Sequence, residues 1–128
     1  MSAEHAETVA KILVVEDEPA LARAICRLVK LHGRTVESAG SCSAARRLDQ
    51  DFDCGIFDVE LPDGSGVDLA AELLQEKRVQ RVVFFTATGE ESLCERASRL
   101  GEVFRKHDGI GQLERVIFDC QHVSANGG

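Results

Sequence analysis

Five short apolar runs punctuate the chain, and between them apolar residues recur at helical spacing. Lys11 to Val15 is a continuous run that stops at Glu16-Asp17-Glu18-Pro19. This reads as a buried strand, an acidic turn and a helix with proline at its first position. Leu21, Ala24, Ile25, Leu28 and Leu31 then follow the helical period up to Gly33, which predicts a helix of about fifteen residues. Thr35 to Ala39 is β-branched enough for a short second strand. Ser41 or Ser43 can cap a short helix carrying Ala44, Ala45 and Leu48. Asp53 to Asp58 is a third strand whose last residue is a carboxylate, and Pro62, Gly64 and Gly66 cannot continue it.

The second half repeats the alternation. Val67, Leu69, Ala70, Leu73 and Leu74 predict a helix ending near Lys77, and Arg81 to Thr86 predicts a fourth buried strand that ends in a hydroxyl. Leu93, Cys94, Ala97 and Leu100 predict a helix closing at Gly101, and Val103-Phe104 a short fifth strand. Ile110, Leu113, Val116, Ile117 and Cys120 predict one last helix. Five strands alternating with five helices predict an α/β chain: a doubly wound, five-stranded parallel sheet with helices on both faces. Residues 11–122 form that domain, with 1–10 expected as a flexible N-terminal segment and 123–128 as a flexible tail.

Composition narrows the partner more than the fold. The 128 residues carry a net charge of -7 with a sequence pI near 5.1, so the surface repels phosphate and favours neither nucleic acid nor an anionic membrane. A protein partner is expected. Five cysteines, Cys26, Cys42, Cys54, Cys94 and Cys120, show no CxxC spacing; they read as buried thiols in a reducing cytoplasm rather than as disulfides or zinc ligands. No apolar stretch approaches the ~18 residues of a membrane span.

The candidate chemistry lies where the strands end. Glu16 and Asp17 follow the first strand, Asp58 the third, Thr86 the fourth and Lys106 the fifth. In a parallel sheet these ends open on one edge, so three carboxylates, a hydroxyl and an ammonium converge in one crevice. Three carboxylates stay ionised together only with a compensating cation, and hard oxygen ligands suit Mg²⁺ better than zinc. A carboxylate nucleophile, a divalent ion, a lysine and a hydroxyl are the parts phosphoryl transfer needs.

With these residues in register the chain resembles a bacterial two-component response-regulator receiver domain of the stand-alone, chemotaxis-regulator-like kind. The resemblance rests on Ile12 to Glu18, on Ile56-Phe57-Asp58 followed by Leu61-Pro62-Asp63-Gly64-Ser65-Gly66, on Phe84-Phe85-Thr86-Ala87 and on Phe104-Arg105-Lys106. It implies a flavodoxin-like receiver fold in which Asp58 accepts a phosphoryl group from a sensor histidine kinase or phosphotransfer protein. Glu16 and Asp17 would hold Mg²⁺ directly or through water, with Asp58 and the backbone carbonyl of Glu60 as further ligands. Thr86 would turn toward the phosphoryl group and Lys106 would pair with it. Such a protein is a cytoplasmic switch rather than an enzyme; it assists its own Mg²⁺-dependent phosphorylation and dephosphorylation and signals by contact with a downstream target protein. The alternative is a pseudo-receiver, a binding module that works without phosphorylation. Two positions depart from the family: Val103 stands where an aromatic residue is usual, with Phe104 one place later, and His107 replaces the proline that normally follows the lysine. The Lys106–His107 peptide is therefore expected to be trans, with the turn rearranged through Asp108 and Gly109 and Lys106 still within reach of Asp58.

Overall fold

The computed structural model describes residues 9–122; the expectations for 1–8 and 123–128 lie outside the described residues. Five parallel strands form one sheet: β1 (Lys11–Val15), β2 (Thr35–Ala39), β3 (Phe52–Phe57), β4 (Val79–Thr86) and β5 (Glu102–Arg105), in the order β2-β1-β3-β4-β5. Every neighbouring pair is parallel, with Ile12 opposite both Val36 and Cys54, Phe57 opposite Phe84, and Phe84 opposite Val103. All six residues of β3 are buried, as a central strand covered on both faces requires.

Two apolar layers account for that burial. On one face Leu13, Val15, Phe57 and Phe84 pack against α2 (Cys42–Arg47), α3 (Gly66–Gln75) and α4 (Glu91–Ser98) through Ala45, Leu69, Leu73 and Ala97. On the other face Ile12, Val14, Ile56, Val83 and Phe85 meet Ile25 and Val29 of α1 (Pro19–Leu31) and Val116 and Ile117 of α5 (Glu114–Asp119). Gly55 is fixed by this packing, because a Cβ there would lie 2.4 Å from the Phe57 ring.

The helix starts follow local chemistry. Pro19 opens α1 and the Glu18 carboxylate accepts the Leu21 N–H at 2.7 Å, while Gly33, at φ +75°, takes the left-handed position beyond its end. Ser41 rather than Ser43 caps α2, accepting the Ala44 N–H at 3.1 Å. Three expectations need correction. The last helix does not begin as α-helix at Ile110: beyond the 3-10 turn at Lys106–Asp108, Ile110–Leu113 is a second 3-10 turn and α-helix begins only at Glu114. Gly109 at φ +87° separates the two turns and no side chain caps either of them, so the apolar spacing holds while the tighter winding wins. A short antiparallel ribbon pairs Glu60–Leu61 with Gly64–Ser65, around a turn read from sequence only as a loop. Of the cysteines, Cys42, Cys54 and Cys120 are buried, but Cys26 and Cys94 are partly exposed. No described helix is long and apolar enough to cross a membrane.

Candidate functional site

The strand order reverses between β1 and β3, and the carboxyl edge at that reversal is where an open α/β sheet leaves a crevice. Glu16 directly follows β1 and Asp58 directly follows β3. The ladder carries past both strands, with Glu16 N–H donating to Ala39 O at 3.0 Å and Asp58 N–H donating to Val15 O at 2.9 Å. One carboxylate oxygen from each of Glu16, Asp17 and Asp58 lies within 4.8 Å of the others. Glu16 and Asp58 are buried while Asp17 is exposed, so the cluster is open on one side.

Lys106 supplies the positive charge. Its Nζ donates to Asp58 Oδ2 at 2.8 Å and lies 3.1 Å from Glu16 Oε1. The Lys106–His107 peptide is trans, and the turn passes through Asp108 to Gly109, as expected from the sequence. Burial alone would lower the Lys106 pKa, but the hydrogen bonds to Asp58 and Glu16 outweigh it and hold the ammonium above its ordinary value. Glu16 moves the other way from the usual carboxylate in an ion pair. Burial raises its pKa, and the bonds from Glu18 N–H and Lys106 compensate only in part. One ammonium does not satisfy this many carboxylates.

Thr86 ends β4 and is fully buried; its Oγ1 accepts the Thr88 N–H at 3.1 Å. Glu60 lies in the ribbon, and its N–H reaches Asp58 Oδ1 at 3.4 Å. The site residues expected from the sequence thus fall into one cluster, with Lys106 bonded to Glu16 and Asp58, Asp17 within 4.8 Å of both carboxylates, Glu60 touching Asp58 through its backbone and Thr86 at the neighbouring strand end.

Several supporting residues escaped the sequence. Asp63 accepts the Cys42 N–H at 2.8 Å and the Ser43 N–H at 3.0 Å, and these bonds draw its carboxyl down to about 2. It therefore ties the loop after Asp58 to the start of α2. Its place in a Pro-Asp-Gly turn was legible, but its partners twenty residues away were not. Arg105 Nη1 donates to Thr88 O at 2.7 Å and holds the loop after β4 against β5. Gly66 is the tightest position: a Cβ there would lie 1.7 Å from Asp58 O, so only glycine lets α3 start against the backbone that carries Asp58.

The family model for the response regulator receiver domain matches residues 12–104. The chain belongs to the response regulator receiver family. Among curated relatives, the receiver is 39% identical over 80 residues to a probable transcriptional regulatory protein, TcrX, of Mycobacterium tuberculosis, covering 59% of this chain and 33% of that protein. It is 35% identical over 85 residues to the phosphate regulon transcriptional regulatory protein PhoB of Escherichia coli, covering 63% and 37%. The chain thus spans about a third of the length of these regulators. Among solved structures, the non-phosphorylated HemR receiver domain of Leptospira biflexa matches with a TM-score of 0.73 at 31% identity, covering 84% of this receiver and 94% of that one. A receiver domain from Clostridium thermocellum matches at 0.75 and 27%, covering 88% and 94%.

Proposed function

We propose that this receiver is a phosphorylation switch in which Asp58 takes a phosphoryl group from a phosphohistidine on a sensor histidine kinase or phosphotransfer protein. The observation that carries the reading is the Lys106 ammonium 2.8 Å from Asp58 in a cluster whose carboxylates outnumber it. Asp58 Oδ attacks phosphorus, the P–N bond to the donor imidazole breaks, and an acyl phosphate remains on Asp58. Lys106 then pairs with a phosphoryl oxygen in place of the carboxylate, and the Thr86 hydroxyl exchanges its bond from Thr88 N–H for one donated to the phosphoryl group.

Three hard carboxylates facing one ammonium leave the charge deficit a divalent ion such as Mg²⁺ fits, held by Glu16, Asp17, Asp58 and the Glu60 carbonyl. When bound, it neutralises charge on the transferring oxygens. The exposed edge at Asp17 leaves room for the ion to keep water ligands. The net charge of -7 directs the output to a downstream protein rather than to nucleic acid or membrane. Free thiols suit the cytoplasm.

A second reading, a binding module independent of phosphate, draws on Val103, which is too small to act as a rotating aromatic ring. Titration calorimetry with Mg²⁺ separates the two. The switch predicts binding that falls on the order of tenfold or more in Asp17→Asn; a receiver that binds no Mg²⁺ with Asp17 intact is the module.

A further inference from the structure

The sheet ends at β2, which pairs only with β1 and leaves its other edge open. Thr35 N–H donates to Ala10 O at 3.0 Å and Glu16 N–H donates to Ala39 O at 3.0 Å, so Thr35, Glu37 and Ala39 direct their main-chain groups to β1. Alternate residues of a parallel ladder point these groups to opposite sides, which turns those of Val36 and Ser38 outward. Neither has a main-chain hydrogen bond on that outer side among the described residues. Thr35, Glu37 and Ser38 are exposed, so nothing in the fold covers the edge. An open edge with outward N–H and C=O groups is a template for one more strand.

Helix α1 forms the second wall of a groove along this edge, an open space of about 750 Å³. Arg23, Arg27 and Lys30 line it from α1 and are all exposed. None of the three forms an ion pair among the described residues. In a chain of net charge -7 they make a local cationic stripe. Glu37 also lines the groove, but it pairs with Leu13 and strand alternation puts its side chain on the α2 face of the sheet. Glu16 and Asp17 close only the end nearest Asp58. The spacing of the stripe suits a strand. Four residues of helix rise about 6 Å, and side chains two apart on a strand, which share a face, are about 6.6 Å apart. Carboxylates at alternate positions of an added strand therefore match Arg23 and Arg27.

We propose that the groove between α1 and the open edge of β2 docks an extended acidic segment of a partner protein, which joins the sheet as a sixth strand. Val36 and Ser38 supply the main-chain bonds, and Arg23, Arg27 and Lys30 select for carboxylates on the side of the added strand that faces α1. Charge decides against a second copy of this chain as the occupant: two receivers joined edge to edge through β2 bring their cationic stripes to the same face of the joint sheet, and each carries a net charge of -7. The docking needs no phosphoryl group, so it stands or falls separately from the chemistry at Asp58.

Titration of the full, isotope-labelled, unphosphorylated chain with two synthetic peptides tests this. One alternates Val with Glu over about eight residues, a usual strand length, and its twin carries Gln in place of Glu. The Glu peptide should shift the Val36 and Ser38 amides and slow their hydrogen exchange, and the Gln twin should bind on the order of tenfold more weakly. Joint Arg23→Glu and Arg27→Glu substitution should erase the preference for Glu over Gln. Ser38→Pro removes an outward N–H without touching the ladder to β1, and should weaken both peptides by a similar factor. If the proline variant does not fold, the arginine pair decides. No shift at Val36 and Ser38 with millimolar Glu peptide, equal binding of the two peptides, or a dimer formed through β2 overturns the proposal.

Discussion

Asp58 faces two carboxylates and one ammonium, and the balance among these charges sets what its neutralisation does. With an effective dielectric near 20, each carboxylate pair within 4.8 Å costs at least roughly 3.5 kcal/mol, while the Lys106 pair at 2.8 Å returns roughly 6 kcal/mol. Two repulsions slightly outweigh one attraction, and Lys106 keeps Glu16 as a partner. Asp58→Asn should therefore match or exceed the wild type by up to about 2 kcal/mol in urea unfolding without metal. Saturating Mg²⁺ should reverse that order, because the ion stabilises the fold that binds it; an Asn variant less stable than wild type in the absence of metal contradicts the charge balance. Asp63 makes a separate prediction in acid. The backbone N–H groups of Ser43 and Cys42 depress its pKa from 3.8 to about 2, so its contribution to stability is present above 3.8 and is lost as pH falls through about 2. Thermal midpoints of wild type and Asp63→Asn should differ at neutral pH and converge near that acid limit; a gap that stays constant with pH would show that the Asp63 carboxylate is not the group responsible.

The elements around Thr86 show how the departure from the family at Val103 acts. Val103 pairs with Phe84 and packs in the layer with α3 and α4, whereas Phe104 pairs with Phe85 and packs in the opposite layer with α1 and α5. Strand alternation places Thr86 on the Phe84 face, so the aromatic ring moved by one residue lies on the wrong side of the sheet to follow the Thr86 hydroxyl. Arg105 still couples β5 to the loop after Thr86 through Thr88 O. Backbone amide shifts on adding beryllofluoride with Mg²⁺ should therefore reach β5 and α4; shifts confined to the loop after Asp58 contradict coupling through that face. The same elements show what the sequence could reveal. The predominantly apolar strands β1 and β3 and the Glu18-Pro19 start of α1 were legible because strand length and capping are local. The division of the last helix into 3-10 turns was hidden, since apolar spacing cannot tell 3.6 residues per turn from 3.0 over so short a stretch. Carboxylate convergence was legible once the strands were taken as parallel, but the Asp63 bonds to α2 depend on how distant elements pack.

At the scale of the whole molecule, one sheet edge gathers what the chain spreads over ninety residues, from Glu16 to Lys106, and helices pack on both faces of the sheet that carries it. The chain spans about a third of the length of the regulators it resembles, and its site is contained within a single fold. The proposed chemistry places one phosphoryl group on one carboxylate of this site. Incubation with Mg²⁺ and acetyl phosphate, followed by intact-mass and peptide analysis, tests it most directly. The expected product is one base- and hydroxylamine-labile phosphoryl group on Asp58, dependent on Mg²⁺ and lost in Asp58→Asn. No incorporation by a receiver that binds Mg²⁺, or equal incorporation by the Asn variant, would contradict it.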